Sequence, residues 1–96
     1  MEILVAYDVA TDDAAGKRRL RRVAQICMAY GQRVQKSVFE CIINEPDLEM
    51  LKHRLRRETE GSKDSVRIYR LMEPRGQYLS VIGKQPEFDL HEPLVV

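Results

Sequence analysis

Asp8 breaks an apolar run, Ile3-Leu4-Val5-Ala6-Tyr7, directly before Val9. A carboxylate at the end of a strand buried on both faces is costly unless something pairs with it. Two readings follow. In the first, Asp8 caps the following helix or accepts hydrogen bonds from the turn at Ala10-Thr11. In the second, it ligates a hard divalent cation, since Mg²⁺ (or Mn²⁺) commonly uses one or two protein carboxylates plus water and substrate phosphate. A two-fold dimer would supply a second copy of Asp8, and a cation recruited between the two would activate water against a phosphodiester. Asp12 and Asp13 fit outer-shell roles less well than roles as acids at a helix start.

Lys17-Arg18-Arg19-Leu20-Arg21-Arg22 sets five bases in six residues. Leu20 alone keeps the apolar stripe there, so the bases project along the polar sides of a helix. Such a row suits phosphates; read without a ligand, it is a solvated helix face. The net charge of +1 conceals this distribution, because residues 14–57 hold eleven bases and four acids while residues 1–13 hold four acids and no base. Aromatic residues make up 6% of the chain and tryptophan is absent, which favours backbone contact with a duplex over stacking on single-stranded bases.

Other chemistries find no support. Cys27 and Cys41 are fourteen positions apart, without a C-x-x-C pair or companion histidines, and are expected as small core residues. His53 lies in a second basic helix and His91 in an acidic tail, so no Ser-His-Asp set can be assembled. The five glycines are scattered and make no phosphate loop. No basic leader precedes the first apolar run, and no stretch approaches a membrane span, so a soluble, cytoplasmic protein is expected.

The elements that must position these residues follow from pattern. Residues 3–9 form a strand buried on both faces, hence near the middle of a sheet. Thr11-Asp12-Asp13 supplies capping oxygens and first-turn acids for a helix whose apolar stripe is Leu20, Val23, Ala24, Cys27 and Tyr30, stopped by Gly31. Arg33 to Ile43 is rich in β-branched and aromatic residues but long for one strand, which predicts a bend or turn near Lys36-Ser37. Ser37, Phe39 and Glu40 would then bring a hydroxyl and a carboxylate near Asp8 if the two strands are neighbours. Asn44-Glu45-Pro46-Asp47 opens a second helix with Leu48, Leu51 and Leu55 as its stripe. Glu60-Gly61-Ser62-Lys63 is a turn, Asp64 to Met72 a strand, Pro74-Arg75-Gly76 a turn, and Tyr78 to Ile82 a short extra strand.

This order predicts a single α+β domain over residues 1–83: a ferredoxin-like βαββαβ sandwich, with an antiparallel sheet, two helices on one face and a short extra C-terminal strand. Val5, Tyr7, Phe39 and Val81 are not expected all to face the same two helices, which makes a homodimer through the uncovered sheet face the natural remedy. The tail, residues 84–96, ends in Leu94-Val95-Val96 and is read either as an edge strand added to the partner subunit or as a loose terminus.

With Ala6-Tyr7-Asp8-Val9 at a strand end, a basic first helix ending Tyr30-Gly31, and the stretch Arg33-Val34-Gln35-Lys36-Ser37-Val38-Phe39-Glu40-Cys41, residues 1–83 resemble the small CRISPR-associated adaptation protein, often called an endoribonuclease, that partners the integrase in spacer acquisition. The resemblance implies a homodimer in which Asp8 holds magnesium, paired across the two-fold. It also implies one of two mechanisms. One is metal-dependent endonuclease action on RNA or double-stranded DNA. The other is a non-catalytic bridge that holds a DNA fragment between integrase dimers. A toxin-like interferase of similar fold fits the Ser-Val-Phe-Glu stretch less well. The residues expected to carry function are Asp8 as metal ligand, Tyr7, Ser37 and Phe39 as shapers of the catalytic site, and Arg18, Arg19 and Arg22 as phosphate contacts. The expected partners are a second copy of the chain, the integrase subunit and nucleic acid as duplex DNA or single-stranded RNA, with no membrane.

Overall fold

The computed structural model describes residues 1–72 and 74–83. Its elements are β1 (Glu2–Asp8), α1 (Ala14–Tyr30), β2 (Gly31–Gln35), β3 (Val38–Ile42), α2 (Glu45–Glu58), β4 (Ser65–Leu71) and a single turn, α3 (Arg75–Tyr78). The sheet runs β2-β3-β1-β4, and every neighbouring pair is antiparallel. This is the ferredoxin-like order, with β1 inside the sheet as its apolar run requires. The bend expected at Lys36-Ser37 is the tight turn between β2 and β3, and a register shift between Arg33 and Gln35 marks the start of the hairpin.

Period-two alternation decides which face of β1 meets the helices. Ile3, Val5 and Tyr7 are buried, and with Phe39 and Cys41 of β3 they form the floor of the core. Val23, Ala24, Ile26 and Cys27 of α1 and Leu48, Leu51 and Leu55 of α2 close it from above. Val5, Tyr7 and Phe39 share one face, because Val5 and Phe39 are direct ladder partners and Tyr7 lies two residues along, whereas Val81 is exposed and joins no strand. The other sheet face carries no helix. There Leu4, Ala6, Val38, Ile42, Tyr69 and Leu71 alternate with the core set, Ile42 and Tyr69 being over 40% exposed.

Two local details refine the sequence pattern. Asp13 is the N-cap of α1, its side chain accepting from the Gly16 N–H at 2.7 Å, so the acids end at the cap and none enters the first turn. Asn44 caps α2 in the same way through the Asp47 N–H at 2.9 Å, with Pro46 in the first turn. Gly31 stops α1 in extended backbone, not left-handed backbone. A side chain at Gly31 would collide with the Glu40 carbonyl and the Cys41 sulfur.

The extra strand expected at Tyr78 to Ile82 is corrected. Pro74 accepts from the Gln77 N–H at 2.9 Å and starts the α3 turn, and residues 79–83 join no strand. Proline favours the first turn of a helix, and a short apolar run does not by itself distinguish strand from other structure. The tail of residues 84–96 and its expected edge strand lie outside the described residues.

Candidate functional site

Asp8 is the last residue of β1, exposed, on the sheet face that carries no helix. Across the β1–β4 ladder its partner is Ser65, also exposed, and Arg67 is the next residue of β4 on that face. Directly opposed residues in an antiparallel pair hold their side chains about 5 Å apart. Serine hydroxyl and aspartate carboxylate therefore share one small patch. Ser65 was not legible as a site residue, because only the strand register makes it Asp8's neighbour.

Ser37 meets the same strand end from the other side. Its carbonyl accepts the Tyr7 N–H at 3.0 Å, so the β2–β3 turn abuts the residue before Asp8. Glu40 does not come near Asp8. It pairs with Leu4, four residues back along β1, which is about 13 Å at the rise of a strand.

Tyr7 and Phe39 point away from Asp8, into the helix layer. Tyr7 donates its hydroxyl to the Lys36 carbonyl at 3.2 Å, and its ring stacks on Phe39 with centroids 6.1 Å apart. The Arg33 guanidinium lies 5.2 Å from the Phe39 centroid. Burial pushes the Tyr7 hydroxyl above its ordinary value, so it acts as a donor and not as a base near neutral pH. Phe39, expected to shape the catalytic site, is fully buried; it supports Tyr7 from beneath.

The loop after Asp8 is tied down by a residue that pattern reading passed over. The Asp64 side chain is completely buried; Oδ1 accepts the Ala10 N–H at 3.1 Å, and Oδ2 accepts the Glu60 N–H at 2.8 Å. Arg19 completes the set, with Nε 2.8 Å from Oδ2 and Nη2 3.3 Å from Oδ1. A buried carboxylate needs such compensation. The Arg19 guanidinium, helped by the two backbone donors, holds the Asp64 carboxyl below the usual aspartate range. Gly16 packs on the Ala10 carbonyl so closely that a side chain there would clash. The segment from Asp8 to α1 is thus fixed at Ala10, at Gly16 and at the Asp13 cap.

Arg19, expected as a phosphate contact, has its guanidinium closed on Asp64 and its side chain 16% exposed. Arg18 and Arg22 remain on the outer surface of α1, Arg22 in a solvent-facing pair with Glu58 at 3.3 Å. His53 is exposed on α2, as expected, and His91 lies outside the described residues. Cys27 and Cys41 are buried, free thiols that desolvation pushes up to about 12 and about 11. Among the described residues no group of three or more His, Cys, Asp or Glu is arranged to hold a metal ion, and no helix is long and apolar enough to cross a membrane.

The strand order, with an exposed carboxylate at the end of an inner strand and exposed arginines on the helices, defines a small ferredoxin-like α+β sandwich. Residues 1–77 match the family described as CRISPR associated protein Cas2. The chain is 53% identical over 96 residues, all of both chains, to the CRISPR-associated endoribonuclease Cas2 1 of Moorella thermoacetica. It is 46% identical over 95 residues, 99% of both, to the CRISPR-associated endonuclease Cas2 of Halalkalibacterium halodurans. Among solved structures, Cas2 of Streptococcus pyogenes at pH 6.5 superposes with a TM-score of 0.78 at 43% identity, covering 86% of this chain and all of that one. A hypothetical protein of Thermus thermophilus superposes with a TM-score of 0.74 at 36% identity, covering 88% and 93%. The chain belongs to the Cas2 family.

Proposed function

We propose that the protein is a nuclease of CRISPR adaptation that hydrolyses phosphodiesters in RNA or double-stranded DNA as a homodimer, with Mg²⁺ or Mn²⁺ held by Asp8 from both subunits. The observation that carries this reading is Asp8 itself: an exposed carboxylate at the end of a rigid inner strand, on the face without helices. Its oxygen donors suit a hard cation, and one carboxylate per chain suits a site completed across a two-fold. The apolar residues of that face, Leu4, Ile42, Tyr69 and Leu71 among them, favour burial against a second copy.

When bound, the cation supplies an activated water and charge stabilisation at the phosphate. The chain's own residues hold and orient. Asp8 is fixed by its ladder to β4 and by the Ser37 carbonyl on the preceding N–H, while the Arg19–Asp64 pair stops the following loop from drifting. Ser65 places a hydroxyl donor beside the carboxylate. Integrase association and a cytoplasmic location accompany this role.

The second reading, a non-catalytic scaffold for DNA between integrase dimers, draws on the charge of the helix layer. Arg18, Arg22, Arg54 and Arg57 lie there, on the opposite side of the sheet from Asp8. The two readings separate in one assay. Cleavage of matched duplex DNA and single-stranded RNA is followed with wild type and Asp8→Ala, each with Mg²⁺, Mn²⁺ or chelator. The nuclease reading requires metal-dependent cleavage that Asp8→Ala abolishes. Equal cleavage by both proteins overturns it, and no cleavage with duplex binding retained gives the scaffold.

A further inference from the structure

Beside Asp8 the open face of the sheet carries a long cationic side chain. Arg67 of β4 pairs with Ala6 across the β1–β4 ladder and is exposed on the face that holds Asp8 and Ser65. Since Ser65 stands directly opposite Asp8, Arg67 is the diagonal neighbour of Asp8. Diagonal neighbours on one sheet face lie about 7–8 Å apart, within reach of a long side chain. The other two arginines of the strands are turned to the helix side: Arg33 lies over the Phe39 ring, and Arg70 meets Glu45 of α2 at 2.6 Å. Arg67 therefore stands alone among the strand arginines in facing the carboxylate. Its Nη1 donates to the Tyr69 hydroxyl at 3.3 Å, along the strand and away from Asp8. An exposed hydrogen bond of this kind competes with water and is readily exchanged for a charged acceptor.

We propose that Arg67 is a catalytic residue of the Asp8 site, its guanidinium donating to the non-bridging oxygens of the phosphodiester under attack. The charges of the site call for such a group. Two aspartates neutralise a divalent cation, so together they leave the negative charge of a phosphodiester unopposed, and that charge grows as a water oxygen adds to phosphorus. Arginine answers this because its planar fork donates to two phosphate oxygens at once and does not deprotonate. In the hydrolysis the water oxygen bonds to phosphorus, the bond from phosphorus to the ester oxygen breaks, and the leaving oxygen takes up the proton that the water gives up. Arg67 neither gains nor loses a proton; it acts by charge and direction alone. The guanidiniums of the helix layer cannot substitute, since the sheet lies between them and their own chain's Asp8. The inference rests on the nuclease reading and adds the residue that meets the reacting phosphate.

The test compares cleavage by the full chain as wild type, Arg67→Ala, Arg67→Lys, Tyr69→Phe and Arg70→Ala, with Mn²⁺ stoichiometry and dimer state measured on the same samples. Arg67→Ala is expected to lower kcat about 10²–10³-fold, the usual cost of removing one donor to developing charge, with KM less affected. Its Mn²⁺ binding and its dimer are expected to match wild type, because Arg67 ligates nothing and is exposed. Arg67→Lys keeps the charge without the fork and is expected to fall between the two. Millimolar guanidinium ion is expected to restore part of the Arg67→Ala activity where the same concentration of sodium ion does not, a response that a structural role would not give. Arg70→Ala removes an arginine from the same strand on the helix side and is expected to retain wild-type kcat. A wild-type kcat in Arg67→Ala, or an equal loss in Arg70→Ala, overturns the assignment of Arg67 while leaving the nuclease intact. Loss of Mn²⁺ or of the dimer in Arg67→Ala overturns it too, as does an equal loss in Tyr69→Phe, which would make Arg67 a support for that ring. Absence of metal-dependent cleavage by wild type overturns the nuclease reading and this inference together.

Discussion

Arg19 and Asp64, forty-five residues apart in sequence, close on each other at 2.8 Å and lock the connection that follows Asp8 to the turn that precedes β4. The pair separates two kinds of arginine within one basic run. Arg19 serves the fold, while Arg18 and Arg22, on either side of it, face solvent.

Asp64→Asn is expected to lower the melting temperature by about 10 °C near neutral pH, since it leaves a largely buried guanidinium without its charge partner. The carboxyl is held below the ordinary value of 3.8 in the folded state. Its contribution is therefore present above that value and is lost as pH falls through the lower folded value. Melting curves for wild type and Asp64→Asn should lie well apart near neutrality and converge in acid. A constant gap down to roughly pH 2 would contradict the assignment.

Arg19→Gln is expected to destabilise the protein but to leave the salt slope of duplex binding as in wild type. Arg22→Gln is expected to do the reverse, with a slope lower by about 0.9 and an unchanged melting temperature. A fall in slope for Arg19→Gln equal to that of Arg22→Gln would return Arg19 to the phosphate contacts.

Tyr7→Phe removes one hydroxyl, the donor to the Lys36 carbonyl, and is expected to cost about 1 kcal/mol. Phe39→Ala opens the core beneath it and is expected to cost about 3–5 kcal/mol. Urea titrations distinguish the two. If Tyr7→Phe abolished cleavage at unchanged stability, the hydroxyl would have a role in chemistry that its inward direction does not provide.

Cys27 and Cys41 should resist a thiol reagent at pH 8 in the folded protein and both react after denaturation, because burial holds them far above the pH at which thiolate forms. Prompt modification of either thiol in the native state would contradict the packing of α1 on β3.

Much of this architecture can be read from the chain. The apolar run ending at Asp8 specifies an inner strand, Asn44 with Pro46 specifies the start of α2, and the length of residues 33–43 specifies a hairpin. What pattern could not supply was register and reach. Val5 and Phe39 face the same helices because they are ladder partners, and Ser65 stands by Asp8 for the same reason. Both facts depend on pairing between distant segments. Asp64 resembled the first residue of a strand, and only its three-dimensional partners make it the anchor of the site. Tyr78 to Ile82 carried the apolar content of a strand, but Pro74 turned the chain into a helical turn first. The basic stripe identified a solvent-facing side of α1, yet not that Arg19 within it closes on Asp64.

The most direct test of the central claim is the stoichiometry of Mn²⁺ binding, followed by electron paramagnetic resonance on wild type and Asp8→Ala, with the dimer checked by sedimentation in the same samples. A carboxylate pair shared across the two-fold predicts one Mn²⁺ per dimer, lost in Asp8→Ala while the dimer persists. Unchanged Mn²⁺ binding by an Asp8→Ala dimer, or one Mn²⁺ per chain in wild type, would contradict it.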